Sequence, residues 1–244
     1  MPIVQLFVTC LVDSLFPEAG EAVVQVLTQA GAQVEFPPDQ TCCGQPAFNA
    51  GFHPEARRMA MHTIQVLEKT SAAVVVPSGS CAFMIRHGYA EIFENDPYWL
   101  PRAQALAQRT YEFSQYLVDV LQVSDLHVHY PKQLAYHPSC HLLRGLGVER
   151  QPLSLLESVD GAHISALEPE CCGFGGIFAV DHEEVSTQML ERKLAQIEET
   201  QAEAVVSCDV SCLMHIEGGL RKHASKVRCM HLAQVLNQQE AGLR

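Results

Sequence analysis

Short apolar runs alternate along the chain with longer amphipathic stretches, and the same order of segments occurs twice. Val4 to Thr9 is a brief apolar run fit for a buried strand. Pro17-Glu18 opens an amphipathic helix that runs to about Ala30, because Pro at the first helical position and an acid in the first turn are good starts; Gly31 ends it. Ala32 to Phe36 reads as a second strand, Pro54 to Lys69 as a long helix and Ala73 to Val76 as a third strand, after which Ser78 to Cys81 begins another helix. A helical stretch from about Pro101 to Leu121 joins this set to a second one. The second set runs from Gln133 to about Arg221 and adds a terminal strand near Val227 to Cys229 and a closing helix.

The two sets are copies. Residues 6 to 89 run parallel to residues 136 to 219. Cys10 matches Cys140, Cys42-Cys43-Gly44 matches Cys171-Cys172-Gly173, His53 matches His182, and Cys81 matches Cys212. Strands alternating with helices of this length imply right-handed crossovers and a parallel sheet. The fold class is therefore α/β, with two tandem homologous doubly wound parallel-sheet halves related by a pseudo-twofold. Residues 1–130 hold the first repeat with its connecting helices and residues 131–244 the second. In such a fold Cys10, Cys42, Cys43 and Cys81 all follow carboxyl ends of strands, the edge where open α/β sheets bind ligands. Cys140, Cys171, Cys172 and Cys212 do the same in the second half.

Charge and composition narrow the function. A formal net charge of -12 argues against a nucleic-acid or anionic-membrane surface. No signal peptide and no apolar run of roughly 20 residues is found, so a cytoplasmic protein is expected. Ten cysteines in that compartment are not expected to form stable disulfides, which leaves metal binding or thiol chemistry.

Four thiols converging on one edge suit zinc or an iron-sulfur cluster, since thiolate sulfur selects soft metals. Cys81 and Cys212 are expected in first turns of helices, where the dipole favours the thiolate. Gly44 and Gly173 give each cysteine pair room to turn both side chains inward. Cys208, four before Cys212, is a candidate fifth ligand, while Cys229 has no repeat partner and reads as core. His137, His141 and His215 lie close to motif cysteines and can ligate or orient a metal, though a hydrogen-bonded histidine is the simpler reading. Arg86, His87 and Arg144 read as a solvated helix face. Gly173-Phe174-Gly175-Gly176 lacks the spacing of a dinucleotide loop.

The doubled pattern, together with Tyr136-His137-Pro138-Ser139-Cys140-His141 and Cys212-Leu213-Met214-His215-Ile216, resembles the cysteine-rich CCG-domain family, most closely its lactate-utilization branch. The family also includes the cysteine-rich subunit of heterodisulfide reductase and the iron-sulfur subunit of glycolate oxidase. The resemblance implies a cytoplasmic electron-transfer subunit that holds one or two iron-sulfur clusters of the four-iron type, with zinc possible in one site. It also implies companion iron-sulfur and lactate-utilization proteins, and oxidation of L-lactate to pyruvate. Heterodisulfide reductase-like members carry a fifth cysteine in a Cys-x-x-Cys ending. Here Ser78 and Asp209 stand at that position, which favours electron transfer over a thiol-disulfide reductase. A zinc-stabilised binding module is a third reading.

Overall fold

The computed structural model describes residues 1–238; the last six residues of the second repeat lie outside the described residues. In the first half, β1 (Ile3–Leu6), β2 (Gln33–Glu35), β3 (Ala73–Val76) and β4 (Thr110–Glu112) form a parallel sheet in the order β2-β1-β3-β4. In the second, β5 (Gln133–Tyr136), β6 (His163–Ala166), β7 (Ala204–Ser207) and β8 (Arg228–His231) form another in the order β6-β5-β7-β8. The two sheets have the same topology, as the repeat requires.

Each central strand is buried on both faces, the condition that makes parallel strands read as continuous apolar runs. Val74 and Val76 point into an outer layer with Phe7, Ile64 and Leu67 beneath the helix His53–Leu67. Ala135 and Val205 do the same in the second half, against Leu194 and Ile197. Val75 and Val206 point the other way, into one continuous core that also holds Leu6, Leu134 and Tyr136. The middle layer is thus shared by both sheets.

Helices of the middle layer cross between halves reciprocally. The helix Pro17–Gln29 packs on Leu232–Leu236 of the second half, and Arg150–Glu157 packs on Phe113–Gln115 of the first. Gly79 lies against Leu142, so close that a Cβ added there would stand 2.7 Å from the leucine Cβ. Gly145 in turn accommodates the ring of Phe83. Exchange of this kind, each half offering the other what it receives, is the signature of the pseudo-twofold.

Several elements differ from the sequence-based expectation. The single helix expected from Pro101 to Leu121 is instead a helix at Trp99–Gln108, then β4, a short helix at Phe113–Gln115 and a π-helical turn at Tyr116–Val120. Thr110 Oγ1 donates to Leu106 O at 2.8 Å and closes the first helix, while pairing with β3 pulls residues 110–112 into the sheet. Tertiary pairing overrides a three-residue segment's local preference. The first strand ends at Leu6 instead of Thr9, because Thr9 bends with φ 73 and Cys10 starts a helix. The last strand runs Arg228–His231, shifted toward the C-terminus. In the long helices the copies align one residue from the His53–His182 match. Gly44 faces Ala56 and Met59, and Gly173 faces Ser186 and Met189.

Candidate metal centre

Local structure delivers four sulfurs to each sheet edge. Cys10 opens the helix Cys10–Leu15 directly after the bend at Thr9. The loop carrying Cys42 and Cys43 is tied to the end of β1 by Gln40, whose Oε1 accepts from Val8 N at 2.8 Å and whose Nε2 donates to Leu6 O at 3.0 Å. Gly44 then adopts φ 88, a conformation open to glycine at little cost, and turns the chain so that its N–H donates to Cys42 Sγ at 3.4 Å. Cys81 sits in the first turn of the helix Gly79–Phe83, its N–H donating to the Ser78 cap at 3.3 Å.

The second half repeats the design. Cys140 precedes the π-helical turn His141–Gly145, Gly173 has φ 95 and donates to Cys171 Sγ at 3.4 Å, and Cys212 lies in the first turn of Val210–Lys222, capped by Asp209.

Within each set the sulfurs lie near enough to one another to interact. Cys43 Sγ and Cys81 Sγ are 3.3 Å apart. The Cys42 thiol is pulled down to about 3, first by the hydrogen bond from Cys10 and then by that from Cys43. Cys171 falls to about 2 for the same reason, with Cys140 and Cys172 as its donors. The donating thiols are pushed up, Cys10 and Cys43 by donating to Cys42 and by burial, Cys140 and Cys172 by donating to Cys171 and by burial. A metal bound by such a set stabilises its cysteines as thiolates and releases their protons.

All eight cysteines border one cavity of about 390 Å³ that straddles the pseudo-twofold. Ser78 and Asp209 lie at its base, and Pro46, Phe174 and Ile177 line its sides. This donor set fits a thiolate-held metal. Four sulfurs at about 2.3 Å from one tetrahedral ion lie roughly 3.8 Å apart, so the 3.3 Å Cys43–Cys81 spacing is nearer to that of a single ion, though shorter than it. A four-iron cluster needs the sulfurs spread, and the adjoining cavity provides the room.

The remaining candidates divide. His141 borders the cavity with Nδ1 3.7 Å from Cys140 Sγ and its ring against Phe83. His137 is fully buried, and one of its ring nitrogens groups with Cys172 Sγ and Cys212 Sγ, all within 4.8 Å of one another. His215 lies outside the cavity, between Phe174 and Ser186. Cys208 does not reach the cavity: it is buried in the shared core, where burial pushes its thiol up beside Tyr136 and Ser114. Cys229, on β8, is raised to about 12 by burial. Arg144 is exposed, as expected, and donates to Pro169 O ahead of Cys171, whereas Arg86 is half-buried and donates to Gln115 Oε1 at 3.2 Å. His87 is exposed beside Phe83. Sequence reasoning did not foresee that the two thiol sets face one space, because nothing in a repeat states how its copies are turned toward each other.

Two parallel sheets, each presenting a Cys-Cys-Gly loop between two further cysteines, define a cysteine-rich domain protein, and the chain belongs to that family. The family model described as CCG: Cysteine-rich domain matches residues 4–86 and again residues 134–217. At full length the chain is similar to lactate utilization protein A of Exiguobacterium sp., 47% identical over 98% of each chain. Lactate utilization protein A of Halalkalibacterium halodurans is 44% identical over 97% of each, and that of Shouchella clausii 45% over 97% of this chain and 99% of its own. No helix among the described residues is long and apolar enough to cross a membrane.

Proposed function

We propose that this protein is an iron-sulfur electron-transfer subunit of a cytoplasmic L-lactate oxidation system. Residues 1–130 and 131–244 would each carry one thiol-ligated centre. Cys10, Cys42, Cys43 and Cys81 hold the first; Cys140, Cys171, Cys172 and Cys212 hold the second. The observation that carries this reading is the convergence of both four-thiol sets on one cavity. Two centres facing a common space sit close enough to pass an electron between them without a mobile carrier.

The chain's own residues prepare that site. Gly44 and Gly173 N–H groups donate to sulfur, the Ser78 and Asp209 caps orient the helices that present Cys81 and Cys212, and the apolar side chains of Pro46, Phe174 and Ile177 line the space beside the sulfurs. A cluster, when bound, supplies a one-electron couple whose potential these hydrogen bonds and burial tune. Among the described residues no lysine or arginine borders the cavity, which supports assigning lactate binding to a companion protein.

Ser78 and Asp209, which replace the additional cysteine of disulfide-reducing relatives, are both engaged as helix caps, which favours electron transfer over disulfide reduction. Zinc is the second reading, favoured by the close Cys43–Cys81 spacing. Purification without oxygen, followed by iron, sulfide and zinc assays and EPR of the reduced protein, separates the two. Iron and sulfide in both sites with a paramagnetic reduced state are expected; zinc in both and no iron would sink the electron-transfer reading.

A further inference from the structure

The two centres are not equivalent. β1 and β5 occupy the same place in their sheets, and just beyond them Phe7 N donates to Val75 O at 3.0 Å while His137 N donates to Val206 O at 2.8 Å. Phe7 and His137 are therefore the same position of the repeat. Both are fully buried, but one is an apolar ring and the other carries two polar nitrogens.

Neither ring nitrogen of His137 has a hydrogen-bond partner among the described residues. Burying an unpartnered polar group costs on the order of 1–3 kcal/mol each, so natural interiors avoid it unless something else satisfies the group. The backbone holds the residue firmly all the same, since the Ser207 hydroxyl donates to His137 O at 2.9 Å while the N–H is held by Val206. What the ring meets is sulfur: one nitrogen with Cys172 Sγ and Cys212 Sγ, all within 4.8 Å of one another.

We propose that His137 is a nitrogen ligand of the second centre, which then has four thiolates and an imidazole available where the first has four thiolates alone. This rests on the reading of the second thiol set as a metal centre.

A second difference concerns the same centre. By the glycine contacts that align the long helices, Lys193 stands where the first half has Thr63. Lys193 is buried, its Nζ donating to Glu168 O and Gln196 Oε1 at 2.7 Å each, within electrostatic reach of Cys171, Cys172 and Cys212. A buried cation beside the second thiol set stabilises negative charge gathered there, a contribution the first half lacks at Thr63.

The test uses the whole chain, purified without oxygen and labelled with ¹⁵N-histidine, with Cys10→Ser and Cys81→Ser introduced to empty the first site. Metal and sulfide assays first establish what the second site holds. Pulsed EPR of a reduced cluster, or X-ray absorption at the zinc edge, then reads the ligand atoms. A directly bonded histidine nitrogen is expected, at about 2.0–2.1 Å if the metal is zinc. The signal should disappear in His137→Phe and His137→Gln and persist in Lys193→Met. The labelled protein with its native His137 gives the answer even if a His137 variant fails to fold. Sulfur-only coordination of a metal-loaded site, or an unchanged nitrogen signal in a folded His137 variant, overturns the ligand assignment while leaving the metal centre standing. A second site with no metal overturns both.

Discussion

Ser78 Oγ donates to Asp209 Oδ2 at 3.2 Å, joining equivalent positions of the two halves across the pseudo-twofold. The same carboxylate oxygen accepts from Ser80 N at 2.9 Å, and its other oxygen accepts from Ser211 N at 3.2 Å and Ser211 Oγ at 2.6 Å. One side chain thus caps its own helix and grips the helix of the opposite half. Asp209→Ala should destabilise the protein by about 2 to 3 kcal/mol, from a lost cap and unpaired buried donors. Urea unfolding of the variant against the native chain measures it, and a loss under about half a kcal/mol would refute the role.

Glu112 makes stability depend on pH. Its side chain is fully buried, with Oε2 accepting from Ser114 N at 2.8 Å and from Gln115 N at 3.2 Å, and Oε1 has no partner among the described residues. Burial raises the carboxyl to about 7, with the nearby Asp209 charge adding to the effect. A folded-state value above the unfolded one means the folded chain holds its proton longer. Stability is then unpenalised below the unfolded value and falls as pH rises from about 4.5 to 7, by on the order of 3 kcal/mol. Glu112→Gln should flatten that fall, read from unfolding free energies at several pH values. A variant with the native pH slope would contradict the assignment.

Gly173 and Gly44 should differ in their tolerance of a side chain. Both have positive φ, 95 and 88, but an alanine Cβ would stand 2.6 Å from Ser186 O at Gly173 and only 3.2 Å from Met59 Cβ at Gly44. The first contact is too short to exist without a shift of backbone, while the nearest atoms at Gly44, Met59 Cβ and Ala56 O at 3.3 Å, need give only slightly. Gly173→Ala should displace the Cys171-Cys172 loop and lower metal per chain by about half, emptying one site of two, while Gly44→Ala keeps more of its metal. Metal analysis of the two variants, purified side by side, decides this; equal losses would count against it.

Cys208 provides a control for the ligand set. Cys208→Ala should retain the full metal content and cost about 1 to 2 kcal/mol, from a small void against Tyr136 in the shared core. A drop in metal content would restore it as a ligand.

Much of this was legible in the sequence because duplication repeats the evidence. Two copies of Cys, Cys-Cys-Gly and Cys at matching intervals, among apolar runs such as Ala73–Val76, carry both the sheet and its binding edge. Thr110–Glu112 was not legible as a strand, since three residues between two helical stretches hold too little local signal and only the open edge of β3 draws them in. The π-helical turns at Met84–Gly88, Tyr116–Val120 and His141–Gly145 leave no composition mark either. His137 was visible as a residue near a motif cysteine, but its distinction from a satisfied core histidine lies in two empty ring nitrogens, a property of packing.

Had the halves been two identical subunits, each residue on the twofold would have faced its own copy. Two aspartates at the position of Ser78 and Asp209 would repel, and two serines would leave the backbone N–H groups around them without an acceptor strong enough to serve both sides. Joining the copies in one chain lifts that constraint, because symmetry-related positions are then free to diverge. The carboxylate on one side and the hydroxyl on the other record that divergence, in a hydrogen bond between unlike residues that two identical chains have no means to make at that position.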